Sequence, residues 1–271
     1  MGRGTWSWIV PDGLWEIAKP LIPLSRVRPQ GGGTQDTPDE TLFAAIIYVL
    51  VSGCAWRQHP PCFGISKSTA HRRFLIWSRA GVWGRLHEAV LHRLDDAASS
   101  TSPASSWTPP TSALKRGEHT GPSPVDRGKP GSKMHVLSDA NGLPLLVGVS
   151  AGNTHDSEGL KPMAEGHQTR HDPHRGRHFK PQRLHADKAY DRADLRKWLR
   201  GKRIGVRIAR KGIQSSERLG RRRWVIERTM SWLSGYRRLS PRYEPDPRNY
   251  LAFLGLAAAL CCYKRLVRLT T

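Results

Sequence analysis

Two acidic residues, Asp187 and Glu227, stand out as candidates for chemistry in this strongly basic sequence. Asp187 lies in the stretch RLHADKAYD, which is predicted to be a strand that ends at polar residues, and Asp187 is placed at its end. Glu227 lies in the middle of a predicted helix, GRRRWVIERTMSWLSGYRRL, whose other charges are positive. A carboxylate at a strand end and a carboxylate on a neighbouring helix can together hold two Mg²⁺ ions about 4 Å apart. Mg²⁺ prefers oxygen ligands, and flanking Arg and Lys side chains would hold a phosphodiester.

Both carboxylates also have a simpler interpretation. Charged residues are common at strand ends, and Glu227 could neutralise Arg223 or Arg228 at helical spacing. Two carboxylates are also too few, because the usual form of such a site has a further Asp on the central first strand. That strand should precede the hairpin that starts near Met134, where residues 105–112 read SSWTPPTS and contain no carboxylate.

The composition indicates a polyanionic partner. The 271 residues include 44 Lys and Arg against 22 Asp and Glu, a formal net charge of +22 that is spread along the chain. Nucleic acid is the commonest partner of such a surface, and a charge that serves only solubility is the alternative. Two domains are expected from this length.

The cysteines and the apolar segments favour a cytoplasmic protein. The four cysteines have neither paired metal-ligand spacing nor the density of a disulfide scaffold, so reduced thiols are expected. The N-terminus lacks the apolar run of a signal peptide. The most apolar stretch, YLAFLGLAAALCCYKRL from Tyr250, is better interpreted as a buried C-terminal helix than as a membrane span.

Residues 1–96 are predicted to form a helical DNA-binding domain. One helix is expected to begin at Asp39, as N-cap, and to end at Gly53, and a second begins with Ser66 or Ser68 as its cap. A helix, a short connection and a basic second helix are typical of a helix-turn-helix. An ordinary helical hairpin with a solvated basic face fits the same pattern. The candidate DNA-binding residues of this second helix are Lys67, His71, Arg72 and Arg73.

The remaining chain is predicted to be an α/β domain that follows an unusual connection. Residues 97–132 have the composition of a linker and a Gly- and Pro-rich basic loop. From residue 133 to 271, a hairpin with its turn at residues 139–142 and then alternating strands and helices predict a mixed sheet covered by helices. The histidines of HQTRHDPHRGRH, which starts at His167, lack Cys or carboxylate partners at ligand spacing. They favour a basic loop over DNA rather than a zinc site.

Several motifs in order resemble one known family. They are the segments LWEIAKPLIP, WRQHPP, STAHRRFLIW, KRGEHTGPSPVDRGKPGSKMHVLSDANGLPLLVGVSAGNTHDSEGLKPM, HADKAYD and RRRWVIERTMSWLSGYRRL. Together they resemble the bacterial insertion-sequence-five (IS4/IS5-like) transposases, a branch of the DDE recombinases. The resemblance implies a ribonuclease-H-like catalytic core behind an N-terminal all-α domain. It also implies Mg²⁺-dependent strand cleavage and transfer, binding to double-stranded DNA at inverted repeats and target, and a homodimer on that DNA.

Carried over by position, the resemblance assigns Asp187 and Glu227 as the second and third catalytic, metal-binding acids. Arg223, one turn before Glu227, matches a basic residue expected to contact DNA, and Arg228 joins it as a DNA-binding candidate. His155 and Asp156 match a recurrent pair for which the resemblance implies a structural role, and Asp126 lies in a recurrent loop motif. The first acid falls at position 107, where this chain has Trp.

Codon degeneracy explains how this acid could have been lost. Trp is encoded only by TGG and Thr by ACN, so the frame that starts at the third base of the Trp107 codon reads GAC, which is Asp. In that frame the preceding Ser residues give apolar residues if their codons are TCN. Our hypothesis is that residues 98–112 are translated out of frame between two compensating insertions or deletions. The rival interpretation is a true linker, with Asp95 or Asp96 replacing the lost acid.

Two functions remain open at the level of sequence. The first is a transposase with impaired catalysis in this copy. The second is a catalytically inactive DNA-binding remnant, or a repressor that acts on the same DNA ends.

Overall fold

The computed structural model describes most of the chain. The described ranges are residues 5–24, 37–97, 105–107, 111–113, 121–122, 130–170, 181–210, 216–241 and 243–270. The α-helices are α1 Leu14–Ala18, α2 Asp39–Ser52, α3 Lys67–Arg79, α4 Val82–Ala97, α5 Asp156–Arg170, α6 Ala193–Gly201, α7 Ser216–Ser234 and α8 Pro247–Thr270. The short 3-10 helices are Lys19–Leu21, Trp56–Gln58, Pro61–Phe63, Lys188–Tyr190 and Arg237–Leu239. The strands are β1 Ser105–Trp107, β2 Thr111–Ala113, β3 Gly121–Pro122, β4 Pro130–Ser138, β5 Pro144–Ala151, β6 Arg183–Ala186 and β7 Gly205–Ile208.

The N-terminal helices have nearly the predicted bounds. α2 is apolar and buried along most of its length, as expected for a helix in the centre of a core. Pro38, not Asp39, occupies its N-cap position, and Asp39 lies in the first turn, where a negative charge favours the helix dipole. Gly53 ends the helix at φ 71°, and a Cβ there would lie 2.7 Å from the Cβ of Arg237. Glycine is therefore needed at this end for both conformation and space.

The central sheet has five positions, and the first strand occupies the middle one. β5 pairs with β4, and β1 and β2 pair with the other edge of β4, all antiparallel. β1 also pairs with β6 in parallel, and β6 pairs with β7 in parallel. The order is therefore β5, β4, β1 with β2, β6 and β7. Three antiparallel strands followed by two strands parallel to the first define a ribonuclease-H-like sheet, so the predicted fold class is confirmed.

β1 and β2 follow one register along β4. Trp107 lies opposite Leu137 and Thr111 lies opposite Lys133, so each step forward on one side is matched by one step backward on β4. Residues 97–132, predicted to be a linker and loop, thus contain the described strands β1, β2 and β3 and the start of β4. The strand forms here because backbone pairing with β4 and β6 requires no particular side chains. The Ser, Thr and Pro content of the segment therefore gave no signal for a strand.

The helical region and the sheet share a hydrophobic core. Trp77 and Trp83 are buried in it and Trp56 packs against it. Phe74 of α3 stacks on Phe253 of α8 with ring centroids 4.2 Å apart. α8 also packs along α4 and against β5. Packing is therefore continuous across residue 96, where the first domain was expected to end.

α8 is a core helix. By length and composition alone it could cross a membrane, but 72% of its apolar window is buried inside the protein. This agrees with the predicted buried C-terminal helix. The four cysteines are free thiols, and burial raises the pKa of the Cys261 thiol to about 11.

Candidate active site

Asp187 lies where the sequence predicts it, directly after a parallel strand. β6 ends at Ala186, and Asp187 is the N-cap of the 3-10 helix Lys188–Tyr190. Its Oδ1 accepts a hydrogen bond from the backbone N–H of Lys188 at 2.6 Å. The residue is exposed, so its carboxylate is accessible from solvent at the carboxyl end of the strand.

The end of β1 lies beside Asp187. Ser105 pairs with Leu184 and Ser106 pairs with His185, so the next step of the register brings Trp107 level with Ala186. The position expected to carry the first acid is thus at the central strand end, adjacent to the second candidate acid. The side chain of Trp107 lies outside the described part of the structure.

Glu227 is presented by a helix that lies against the same strand. α7 contacts β1 and α8, with Ile226 and Leu233 buried on its inner face. Glu227 is exposed. The elements that carry Asp187 and Glu227 therefore both border β1, one through strand pairing and one through helix packing.

A close contact with the β4–β5 turn fixes the position of α7. The hydroxyl of Thr229 donates to the carbonyl of Gly142 at 2.6 Å, and Thr229 is fully buried. Gly142 has φ 82°, and a Cβ there would lie 2.9 Å from the Thr229 hydroxyl. Only glycine permits this approach without displacement of the helix. The turn itself is closed by Asp139, which accepts from the N–H groups of Asn141 and Leu143, as the hairpin prediction requires.

Arg228 lies between two tryptophans on the outer side of α7. Its guanidinium is 4.3 Å from the ring centroid of Trp224 and 4.9 Å from that of Trp232. It also donates to the carbonyl of Asn141. Arg228 is a predicted DNA-binding residue, whereas the two rings were not predicted to flank it, although their four-residue spacing on either side of Arg228 is visible in the sequence. The side chain of Arg223 lies outside the described part of the structure.

The structure separates the predicted basic residues of α3 into two groups. The Ser66 hydroxyl caps the helix by accepting from the N–H of Thr69 at 3.1 Å, which selects one of the two predicted caps. Lys67 and Arg72 are exposed on the helix surface. His71 packs against Trp56, with ring centroids 5.1 Å apart, and a guanidinium nitrogen of Arg73 lies 4.0 Å from Asp39. Lys67 and Arg72 are therefore the accessible members of the set.

The acids in the described part of the structure do not make up a two-metal site. Among the described residues, no three His, Cys, Asp or Glu side chains come together in a way that could hold a metal ion. Asp95 and Asp96, considered as replacements for the first acid, lie on the last turn of α4 and not on a strand of the sheet. Asp126 and the histidines at 171, 174 and 178 lie outside the described residues, as does the side chain of His167.

His155 and Asp156 belong to a set of polar contacts that joins β4 to the start of α5. Lys133 of β4 is buried, and its Nζ lies 2.6 Å from Asp156 Oδ1 and donates to the carbonyl of Thr154 at 2.7 Å. His155 Nδ1 is 2.6 Å from the hydroxyl of Ser157. These contacts give the pair a structural role at the start of α5.

Asp156→Asn is expected to lower the free energy of unfolding by about 2 kcal/mol, because it leaves the buried Lys133 ammonium without its carboxylate. The double variant Lys133→Met with Asp156→Asn should lose less, since it removes both charges. Chemical denaturation of the three proteins measures the difference. A change of less than about 0.5 kcal/mol in the single variant would show that the pair is unimportant for stability.

The strand order defines the class of fold as a ribonuclease-H-like core, and the two candidate acids are carried by elements that border its central strand. The family model "Transposase DDE domain" matches residues 105–262, more than half of the chain. A second model, "Putative transposase of IS4/5 family", matches residues 10–87. The chain therefore belongs to the DDE transposases of the IS4/5 family.

Curated relatives agree with this assignment. The chain is 38% identical over 153 residues to the "Putative transposase for insertion sequence element IS402" of Burkholderia cepacia, covering 55% of this chain and 71% of that protein. It is also 35% identical over 88 residues to the "Insertion element IS402 uncharacterized 16.2 kDa protein" of the same organism, covering 32% of this chain and 60% of that protein. A solved structure, a pre-cleavage Mos1 transpososome, aligns at 12% identity with a TM-score of 0.28, covering 91% of this chain and 82% of that one. That likeness is too weak to support an argument.

Proposed function

We propose that this transposase binds the ends of its insertion sequence but cleaves DNA poorly or not at all. One observation carries the proposal: the end of the central strand β1, beside Asp187, carries Trp107. An indole offers no oxygen ligand to a hard cation. Trp107 therefore leaves the Mg²⁺ site expected of the family without its first carboxylate, and Asp187 and Glu227 would hold the metal less well without it.

DNA binding is supported by charge and by the exposed residues of α3. The net charge of +22 favours a polyanion, and Lys67 and Arg72 are available to phosphates on the accessible side of the helix. We infer that this helix contacts double-stranded DNA at the inverted repeats, that Arg223 contributes near Glu227, and that the protein acts on DNA in the cytoplasm as a homodimer.

The double variant Lys67→Gln with Arg72→Gln is expected to bind an end-containing duplex about tenfold more weakly at 0.1 M salt. The slope of log affinity against log salt should fall by about two, because each lost phosphate contact removes about one unit. Fluorescence anisotropy across a salt series measures both quantities. The matched control, Lys197→Gln with Arg200→Gln, removes the same charge from the exposed side of α6. An equal loss in both variants would indicate a general charge effect and not a contact by α3.

The origin of Trp107 is tested by sequencing the gene. The shifted-frame hypothesis requires TCN codons for Ser105 and Ser106, so that the alternative frame reads apolar residues before the Asp. Any other serine codons at those positions would exclude the hypothesis. In that case the second candidate function, a non-catalytic DNA-binding remnant or repressor of the same element, would be favoured by the same observation at β1.

A further inference from the structure

The outer side of α7 carries a ladder formed by Trp224, Arg228 and Trp232. The three side chains follow one another at four-residue spacing, and the arginine guanidinium lies within cation–π distance of both rings. Trp224 is 51% exposed and Trp232 is 38% exposed. Most tryptophan surface is buried in folded proteins, as it is for Trp77 and Trp83 in this core. Two accessible indoles on one side of a helix therefore form a candidate binding surface.

The ladder is held in place before any ligand binds. Arg228 donates to the carbonyl of Asn141, and Thr229, the next residue, is hydrogen-bonded to Gly142. Both contacts tie α7 to the β4–β5 turn. A rigid aromatic surface loses little conformational entropy on binding, which is an advantage for stacking interactions.

The ladder also lies beside the candidate acid. Trp224 precedes Glu227 by one helical turn, and Arg228 follows it directly. In sequence, Trp224 is preceded by Arg221, Arg222 and Arg223, so this part of the helix is strongly basic. The surface thus combines aromatic rings and positive charge on the helix that carries Glu227.

We propose that the Trp224–Arg228–Trp232 ladder binds unpaired DNA bases by stacking, next to Glu227. Aromatic rings interleaved with cations are the recurrent platform for single-stranded nucleic acid, because every base has a face that can stack. Bases in an intact duplex are already stacked on their neighbours, so the ladder takes only bases that have left the helix. This inference rests on the proposed DNA binding and specifies which form of DNA the surface beside Glu227 binds.

Charge favours DNA over a second copy of the chain as the occupant. Two copies would bring together surfaces from proteins that each carry a net charge of +22, with an arginine at the centre of both ladders. Like charges in contact are unfavourable, whereas a phosphate backbone is complementary to the same surface.

The test compares single-stranded and duplex DNA binding by the full chain. The probes are a fluorescein-labelled oligothymidylate of about twelve nucleotides, a length within the range bound by known single-strand sites, and an end-containing duplex. Trp224→Leu and Trp232→Leu are each expected to weaken oligothymidylate binding about tenfold and to change duplex binding less than about threefold. Trp8→Leu is the matched control, since Trp8 is 56% exposed but lies near the N-terminus, where it contacts Phe63 and Tyr48. It should bind both probes like the unaltered chain.

The outcomes separate this inference from the proposed function. If the unaltered chain binds the duplex and the leucine variants bind oligothymidylate as well as it does, the stacking role is wrong while DNA binding stands. If the variants instead change only the sedimentation behaviour of the protein, the ladder is a contact between copies and the inference is overturned. If the unaltered chain binds neither probe, the proposed DNA binding fails and the inference fails with it. Circular dichroism of each variant verifies that the fold is retained.

Discussion

A chain with an aspartate restored at position 107 is expected to cleave an end-containing duplex at least about a thousandfold faster than the chain as written. Loss of one essential group from a catalytic set commonly costs this much or more, because the remaining groups cannot position the reacting atoms. Two forms test the expectation. In the first, residues 98–112 are encoded in the shifted frame, and in the second, Trp107→Asp is the only change. Product strands are quantified on denaturing gels in buffer that contains Mg²⁺.

Controls in the restored background identify the partners of the new carboxylate. Asp187→Asn and Glu227→Gln should each abolish the gained cleavage while leaving duplex binding within about threefold, since an acid-to-amide change preserves size. Cleavage by the chain as written at a rate close to that of the restored chain would contradict the proposed impairment. If the restored chain still cleaves the duplex after Asp187→Asn, Asp187 is not a catalytic residue.

Phe253→Ala is expected to lower the free energy of unfolding by about 4 kcal/mol and to destabilise the N-terminal helices and the sheet together. Phe253 is fully buried and stacks on Phe74, and its helix α8 packs against both α4 and β5. Removal of a buried aromatic side chain leaves a cavity in a core that the two parts of the chain share. Calorimetry should show one transition at a lower temperature.

Val267→Ala on the same helix provides the comparison for this variant. Val267 is exposed, so its truncation should change the unfolding free energy by less than about 0.5 kcal/mol. Two separate transitions in the Phe253→Ala protein, one of them unshifted, would show that the helical region and the sheet unfold independently.

Local patterns in the sequence predicted the strand end and the helix that carry the two candidate acids. The strand that ends at Asp187 and the helix with Glu227 among arginines could be predicted without tertiary information, and the helix start at Ser66 followed from capping chemistry. The N-cap was predicted at Asp39 but lies at Pro38, because an acid at the cap and an acid in the first turn both favour a helix start.

The central strand could not be predicted from its own residues. The segment is a strand because its backbone pairs with β4 on one side and with β6 on the other, and both partners are distant in the sequence. The anchor of α7 is nonlocal in the same sense, since Thr229 and Gly142 are 87 residues apart. Spacing alone could have grouped Trp224, Arg228 and Trp232, but their exposure depends on which side of α7 faces the sheet, and that is decided by tertiary packing.

The shared register of β1 and β2 along β4 depends on the number of residues in this segment and not on which residues they are. A pair of compensating frame changes alters every side chain between them but leaves the number of residues the same, so Thr111 still meets Lys133. A single-residue deletion between residues 107 and 111 would do the opposite. It would keep most of the side chains and turn those of Thr111–Ala113 to the other face of the sheet. A gene with two compensating frame changes therefore still encodes the sheet, and what it loses is the carboxylate at position 107.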